Sequence, residues 1–307
     1  MMKMKKAIAM LFSVVLLAGV LVGCSSKSGD QKSIVVLDGQ FTEIDILQYM
    51  AKILIEEHTD LTVQMHDSMY TVTAAQALEK KEVDLYVGYD GTLLSTILGG
   101  DASEVPQGES LFEYTKKRGS DEKGLTLNEK FGFENTYAIA VREDDAKEHD
   151  LKTISDLVPL SSDLIFGAEH EFFDEEGTVR FKPLNDFYGL NWKEDKSVEM
   201  NLKYAAIDNK NIDVTVVYST DGLNKKSNLR ILEDDRHFFP EYFAAYEMRT
   251  TLFEEFQETA PNLKDVLDKL NGQIDNETMA ELNYRVDALQ EKPEEVAREF
   301  LREKGLI

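Results

Sequence analysis

Short apolar runs, polar turns and amphipathic stretches alternate along this chain. Residues 34–37 form an apolar strand, and Asp38-Gly39-Gln40-Phe41 a turn at its carboxyl end. Thr42 stands where a helix cap belongs, with Asp45 three residues on in a capping-box-like arrangement. Ile46, Leu47, Met50 and Leu54 then share one helical face. Leu61, Val63 and Met65 alternate as a second strand, 71–80 reads as a helix and 83–87 as a third strand. This βαβαβ order predicts a parallel sheet. Residues 91–98 open another helix, ended by Gly99-Gly100. The charged stretch 101–130 reads as one helix near 111–117 and a surface loop.

A second αβ series begins at 131–142, where the chain is expected to cross to another lobe. A helix start at 154–157, a strand at 164–167, a helix at 181–188 and strands at 198–202 and 229–232 follow. Pro183 fits only the first turn of its helix. Residues 237–245 are read as carrying the chain back to the first lobe, and the tail as helical, with helices at 276–286 and 293–303.

One pattern occurs twice. When Leu78 is aligned with Ile207, Val83-Asp84 falls on Ile212-Asp213 and Tyr89 on Tyr218. Each copy is a helix end, a polar turn, a short apolar strand and a tyrosine just past it. Open α/β sheets bind ligands beyond the carboxyl ends of their strands, so two such units predict a cleft closing on one small molecule. The string is a common one, and spacing alone leaves chance as the alternative.

The amino terminus carries Lys3, Lys5 and Lys6, then no charge from Ala7 to Gly23. That is the layout of a secretory signal, and the apolar run is short of the roughly 20 residues of a spanning helix. A retained membrane anchor is the alternative. Cys24 is the only cysteine, so the chain has no internal disulfide. Its position resembles the lipobox of bacterial lipoproteins, with Val22 a mild departure. Either way the folded part is expected outside the cytoplasm.

Composition narrows the chemistry. Acidic residues outnumber basic ones 58 to 34 over 307 residues, which argues against a nucleic-acid partner. No thiol follows Cys24, the five histidines are scattered, and Glu169-His170-Glu171 lacks the second histidine of a zinc helix. A phosphate-cradling loop is missing as well. No catalytic, metal or cofactor site is expected, and the chain is read as a binder rather than an enzyme. The tyrosines are the better lead: Tyr89 and Tyr218 follow strand ends, Tyr137 sits at the first crossing and Tyr242 at the second. Converging on a cleft, they would form an aromatic box suited to a quaternary ammonium, which lacks an N–H and is attracted to ring faces.

Several stretches together resemble one family. They are Asp84-Leu85-Tyr86 through Tyr89-Asp90-Gly91-Thr92, Phe131-Gly132-Phe133-Glu134-Asn135-Thr136-Tyr137-Ala138, and Phe166-Gly167-Ala168-Glu169. Tyr218-Ser219-Thr220-Asp221-Gly222, Leu232-Glu233-Asp234-Asp235 with Phe238-Phe239-Pro240, and Glu281-Leu282-Asn283-Tyr284 complete the set. The chain resembles the substrate-binding lipoproteins of ABC importers for glycine betaine, carnitine and choline.

The resemblance implies a two-lobed α/β fold of the periplasmic-binding-protein kind, type II-like, with a hinge and an inter-lobe ligand cleft. A signal peptide at 1–23 and a linker at 24–33 precede lobe I (34–134 and 241–307) and lobe II (135–240). It maps an aromatic cage onto Tyr89, Tyr137, Tyr218 and Tyr242, and polar contacts to the ligand tail onto Gln40 and Thr92. Expected partners are a small quaternary ammonium ligand, ABC permease subunits, and the membrane through a lipid anchor at Cys24. The chain departs from the family at 66–71, at Val87-Gly88 and at Glu241. An Asp90 carboxylate facing the cleft would disfavour a ligand carboxylate and favour choline over betaine. The alternatives are a receptor of the same fold for another solute such as ergothioneine, and a secreted hydrolase using a carboxylate pair.

Overall fold

A computed structural model describes residues 32–174, 178–199 and 202–307. The expected signal peptide, Cys24 and most of the linker lie outside the described residues, as do Met200 and Asn201 of the expected strand at 198–202. The remainder, Lys32–Ile307, is one compact unit.

Two five-stranded sheets organise it. In the first, β1 (Ser33–Leu37), β2 (Thr62–His66) and β3 (Leu85–Tyr89) run parallel. A strand from the far end of the chain, Ala244–Arg249, pairs antiparallel with β3 and with β4 (Leu125–Leu127). The second sheet repeats the plan. β6 (Ile165–Ala168), β7 (Glu194–Ser197) and β8 (Val214–Tyr218) are parallel. Preceding them in the chain, β5 (Tyr137–Arg142) lies antiparallel between β8 and β9 (Leu229–Leu232). With Ala244–Arg249 as β10, the orders are β2-β1-β3-β10-β4 and β7-β6-β8-β5-β9.

The helices follow the apolar stripes. In α1 (Thr42–His58), Ile46, Leu47, Met50, Ile53 and Leu54 are fully buried between the first sheet and the C-terminal helices. Each such side chain contributes about 1.5–3 kcal/mol relative to exposure. The expected capping box is absent: Phe41 is the N-cap without a side-chain bond, and the Thr42 hydroxyl donates to Asp287 at 2.5 Å. The expected strand at 198–202 is also corrected. The strand lies four residues earlier, at Glu194–Ser197, and Leu202 only leads into the helix Lys203–Asp208. β7 is an edge strand with three of four residues exposed, so no apolar alternation marks it. β4 falls in a stretch read from the sequence as a loop, and β10 begins in the return segment 237–245 and runs four residues past it. Among the described residues, no helix is long and apolar enough to cross a membrane.

The sequence echo is a repeated structural unit. Asp84 accepts from the Val35 amide at 2.7 Å and pairs with Arg249 of β10 at 2.7 Å. Arg249 also donates to the carbonyls of Leu78 and Val83. In the second sheet Asp213 accepts from the Ile165 amide at 3.0 Å and pairs with Arg142 of β5 at 2.6 Å. Arg142 in turn donates to the carbonyls of Ile207 and Ile212. These are the aligned positions of the two copies. One arginine on the antiparallel neighbour ties helix end, turn and strand start together in each half.

The chain passes between the sheets twice, between Leu127 and Tyr137 and between Leu232 and Ala244. The crossing segments touch through an antiparallel bridge of Glu134 with Phe243 and a Thr136 hydroxyl bond to the Pro240 carbonyl.

Candidate functional site

The carboxyl ends of β3 and β8 face one cavity of about 600 Å³. Tyr89 and Tyr218 end those strands, and the antiparallel neighbours deliver the other two tyrosines. Tyr137 is the register partner of Tyr218, and Tyr242 lies two residues before Ala244, the partner of Tyr89. The result is two stacked pairs. Tyr89 and Tyr242 have ring centroids 5.1 Å apart at 22°, and Tyr137 and Tyr218 5.0 Å apart at 23°. Tyr89, Tyr218 and Tyr242 line the cavity together with Gln40 and Thr92. Tyr137 instead lines a neighbouring cavity with Phe239 and Pro240, backing Tyr218 rather than joining the shared wall. Tyr218 is the most open of the cavity tyrosines, 37% exposed against 7% for Tyr89.

Hydrogen bonds fix the rings. The Thr92 hydroxyl bonds to that of Tyr242, and the Gln40 amide donates to the Met69 carbonyl. Burial raises the pKa values of Tyr89, Tyr218 and Tyr242, with Glu43 adding to the effect at Tyr89 and Tyr137 at Tyr218. All three stay neutral phenols. Lys203 holds its Nζ 5.9 Å from the Tyr218 ring and pairs with Oε2 of buried Glu169 at 3.4 Å.

Glu43, at the start of α1, is the residue sequence reasoning missed. Its carboxylate accepts from the Tyr89 hydroxyl at 2.5 Å, Asn135 Nδ2 at 2.9 Å, the Thr220 hydroxyl at 2.5 Å and Asn283 Nδ2 at 3.1 Å. Those donors come from the first sheet, the crossing, the second-sheet half and a C-terminal helix. Burial raises the Glu43 pKa while the four donors oppose it, since each bonds to the charged form. Beside it, Asn283 donates to the Thr220 carbonyl at 2.8 Å. Gly222 meets the Asn283–Tyr284 backbone so closely that an added Cβ would lie 2.4 Å from the Tyr284 nitrogen. The second-sheet half thus rests directly on the first.

Asp90 is a correction. Its carboxylate does not line the cavity; Oδ1 accepts from the backbone amides of Gly91 at 2.7 Å and Phe243 at 3.0 Å. Buried there, it is pushed up to about 7 by desolvation, against those two bonds. The carboxylates that do line the cavity are Glu43, Asp221, Glu247 and Asp287, and its wall includes no lysine, arginine or histidine. Rings plus carboxylates favour a cation over an anion. Among the described residues no His/Cys/Asp/Glu group is arranged to hold a metal ion.

Residues 32–303 match the family described as the substrate binding domain of ABC-type glycine betaine transport system. The carnitine transport binding protein OpuCC of Listeria monocytogenes is 34% identical, over 98% of each chain. The ergothioneine transport permease/ergothioneine binding protein EgtU of Helicobacter pylori is 31% identical over 96% of this chain and 52% of its own length. A crystal structure of a glycine betaine/carnitine/choline ABC transporter protein superposes with a TM-score of 0.81 at 27% identity, covering 89% of this chain and 98% of that one. The two mixed sheets and the cavity beyond β3 and β8 are thus those of a periplasmic-binding-protein fold, and the chain belongs to the family of substrate-binding domains of ABC-type glycine betaine transport systems.

Proposed function

We propose that this protein is an extracytoplasmic receptor that captures a quaternary ammonium compound and hands it to an ABC permease without transforming it. The observation that carries the reading is the cavity wall, where tyrosines from both sheets meet four carboxylates and no basic side chain. A trimethylammonium head needs neutral ring faces and a negative surround, each face contributing about 0.5–2 kcal/mol. In this reading Tyr89, Tyr218 and Tyr242 hold the head, Tyr137 supports Tyr218, and Gln40 and Thr92 orient the ligand tail. Lobe I is residues 34–134 and 241–307, lobe II is 135–240, and the paired crossings form the hinge. A lipid on Cys24 would tether the receptor to the outer face of the cell membrane.

A second reading, a trimethylammonium compound carrying a heterocycle, draws on the similarity to the ergothioneine-binding relative. A thermal-shift panel on the full-length chain in non-ionic detergent tests the class. It would hold tetramethylammonium, choline, glycine betaine, carnitine and ergothioneine, with neutral amino acids as controls. A binder of the folded state raises Tm by mass action. The expected result is a shift with at least one ammonium compound that is lost in Tyr218→Ala. No shift with any of them sinks the reading.

A further inference from the structure

The cavity extends past the tyrosines to a second polar patch. Glu247 of β10 and Tyr86 of β3 are register partners, and both line the cavity. Glu247 is 2% exposed and Tyr86 5%. Among the described residues, Glu247 Oε1 and the Tyr86 hydroxyl have no hydrogen-bond partner. Gly88, on the same face of β3, leaves the room they need: a Cβ there would lie 2.5 Å from Glu247 Oε2. A buried carboxylate without donors is costly unless something completes it. The Tyr89 hydroxyl cannot serve it, because it already donates to Glu43, and Tyr86, which faces it closely enough for each to shift the other's pKa, makes no hydrogen bond of normal geometry to it.

We infer that Glu247, Tyr86 and the gap over Gly88 form a subsite for a hydrogen-bond donor on the ligand, a hydroxyl or ring N–H attached to the trimethylammonium head. This rests on the receptor reading above and adds a selectivity to it. The tyrosines take the head, a feature common to every trimethylammonium compound. Glu247 accepts from the donor and ranks ligands by whether they carry one. A ligand whose tail is only a carboxylate meets an acceptor and no basic residue in the cavity wall, so it binds less tightly.

The test is isothermal titration of the full-length chain in non-ionic detergent at pH 8.5, where Glu247 is ionised, with three probes. Tetramethylammonium is the head alone, choline adds a hydroxyl donor, and glycine betaine adds a carboxylate. Wild type should bind choline about tenfold or more tightly than glycine betaine, the range for a hydrogen bond to a charged group. Glu247→Gln should cut choline affinity about tenfold more than tetramethylammonium affinity, and narrow or reverse the choline-to-betaine ratio because the amide can donate. Tyr86→Phe removes a single hydroxyl, and should lower choline affinity several-fold more than tetramethylammonium affinity. That milder change carries the test if Glu247→Gln does not fold. Unchanged probe ratios in the folded variants, with tetramethylammonium still bound, overturn the subsite alone. Failure of wild type to bind any of the three overturns the subsite, and failure to bind carnitine and ergothioneine as well overturns the receptor reading with it.

Discussion

Gly222→Ala isolates the contact between the two halves. The glycine opens a short helix, Gly222–Lys226, and its Cα lies against the backbone of Asn283 and Tyr284. An alanine Cβ would stand 2.4 Å from the Tyr284 nitrogen and 2.7 Å from the Asn283 carbonyl carbon. Both neighbours are helical backbone and cannot rotate away. Going from 2.4 Å to the 3.4 Å of ordinary contact takes a shift of about 1 Å. That shift would stretch the Thr220 bond to Glu43 (2.5 Å) and the Asn283 bond to the Thr220 carbonyl (2.8 Å). Overpacking of this kind costs about 1–3 kcal/mol. In a receptor that closes on its ligand, the cost falls on the closed state alone. The Kd for a ligand that stabilises wild type should then rise about 5- to 150-fold. Each half keeps its own apolar core, so the ligand-free Tm should stay near the wild-type value. Isothermal titration and thermal melts on the same preparation check both expectations. A Kd within twofold of wild type would refute the reasoning, because the contact would then be absent from the state that holds ligand.

Glu43→Ala leaves four buried donors without their acceptor in the closed state, and denaturant unfolding of the ligand-saturated protein should show a loss of about 3 kcal/mol or more. Glu43→Gln should recover part of it. Stability should also fall as pH rises. Burial pushes Asp45 up to about 6 and both Asp90 and Glu247 up to about 7, with Asp38 adding to the rise at Asp45. Between about pH 4 and 7 the folded chain therefore holds protons the unfolded chain has released, and folding weakens across that window. The ligand-free protein should melt higher at pH 5 than at pH 8. Glu247→Gln should remove its share, about 3 kcal/mol for a rise from 4.5 to about 7. Glu255 works the other way: partial burial raises it, but bonds from Arg249, Lys81 and Thr251 hold it at about 2, so its contribution is lost only in strong acid. Arg249→Met strands Asp84 and should cost about 3–5 kcal/mol in urea unfolding.

The legible parts of the sequence were those with a local signature. α1 showed its buried stripe, and the repeated strand showed its apolar run and terminal tyrosine. Three of the four tyrosines, with Gln40 and Thr92, do share one cavity. What stayed hidden depends on partners far away in the chain. β4 and β10 are made strands by pairing, and β10 joins β3 across more than 150 residues. Glu43 reads as an ordinary first-turn acid until Thr220 and Asn283 arrive from 177 and 240 residues away. Thr42 resembled a cap because the pattern describes only the next few residues, whereas its hydroxyl is taken by Asp287. Among 58 acidic residues, Asp90 and Glu247 carried no mark of being buried.

The repeated unit also separates stability from selectivity in space. In each half the arginine staple, Arg249 with Asp84 or Arg142 with Asp213, sits where β3 or β8 begins. The tyrosines sit where the same strands end, five residues further on in the sequence: Asp84 to Tyr89 and Asp213 to Tyr218. A strand rises about 3.3 Å per residue, so staple and site lie roughly 16 Å apart along a rigid rod. Charge-neutralising changes at the staples act on the turn, the helix end and the neighbouring strand, all at the far end from the ligand. They should therefore lower the melting temperature without altering the order in which ammonium compounds bind. Changes at Glu43 and Gly222 differ, since both sit where the halves meet, at contacts the ligand-holding state depends on. Glu247 differs again: it lines the same cavity as the tyrosines and, by the subsite inference, meets the ligand's donor group rather than the other half. Three kinds of substitution thus have three distinguishable signatures. Staples shift Tm without touching binding, interface residues shift Kd for every ligand together (Glu43 lowering stability as well), and Glu247 is the one that shifts the ratio between ligands, whatever it does to Tm. If an Arg142 or Arg249 variant that still folds reversed the order of ligand preference, this partition would be wrong, and coupling would have to run the length of the sheet.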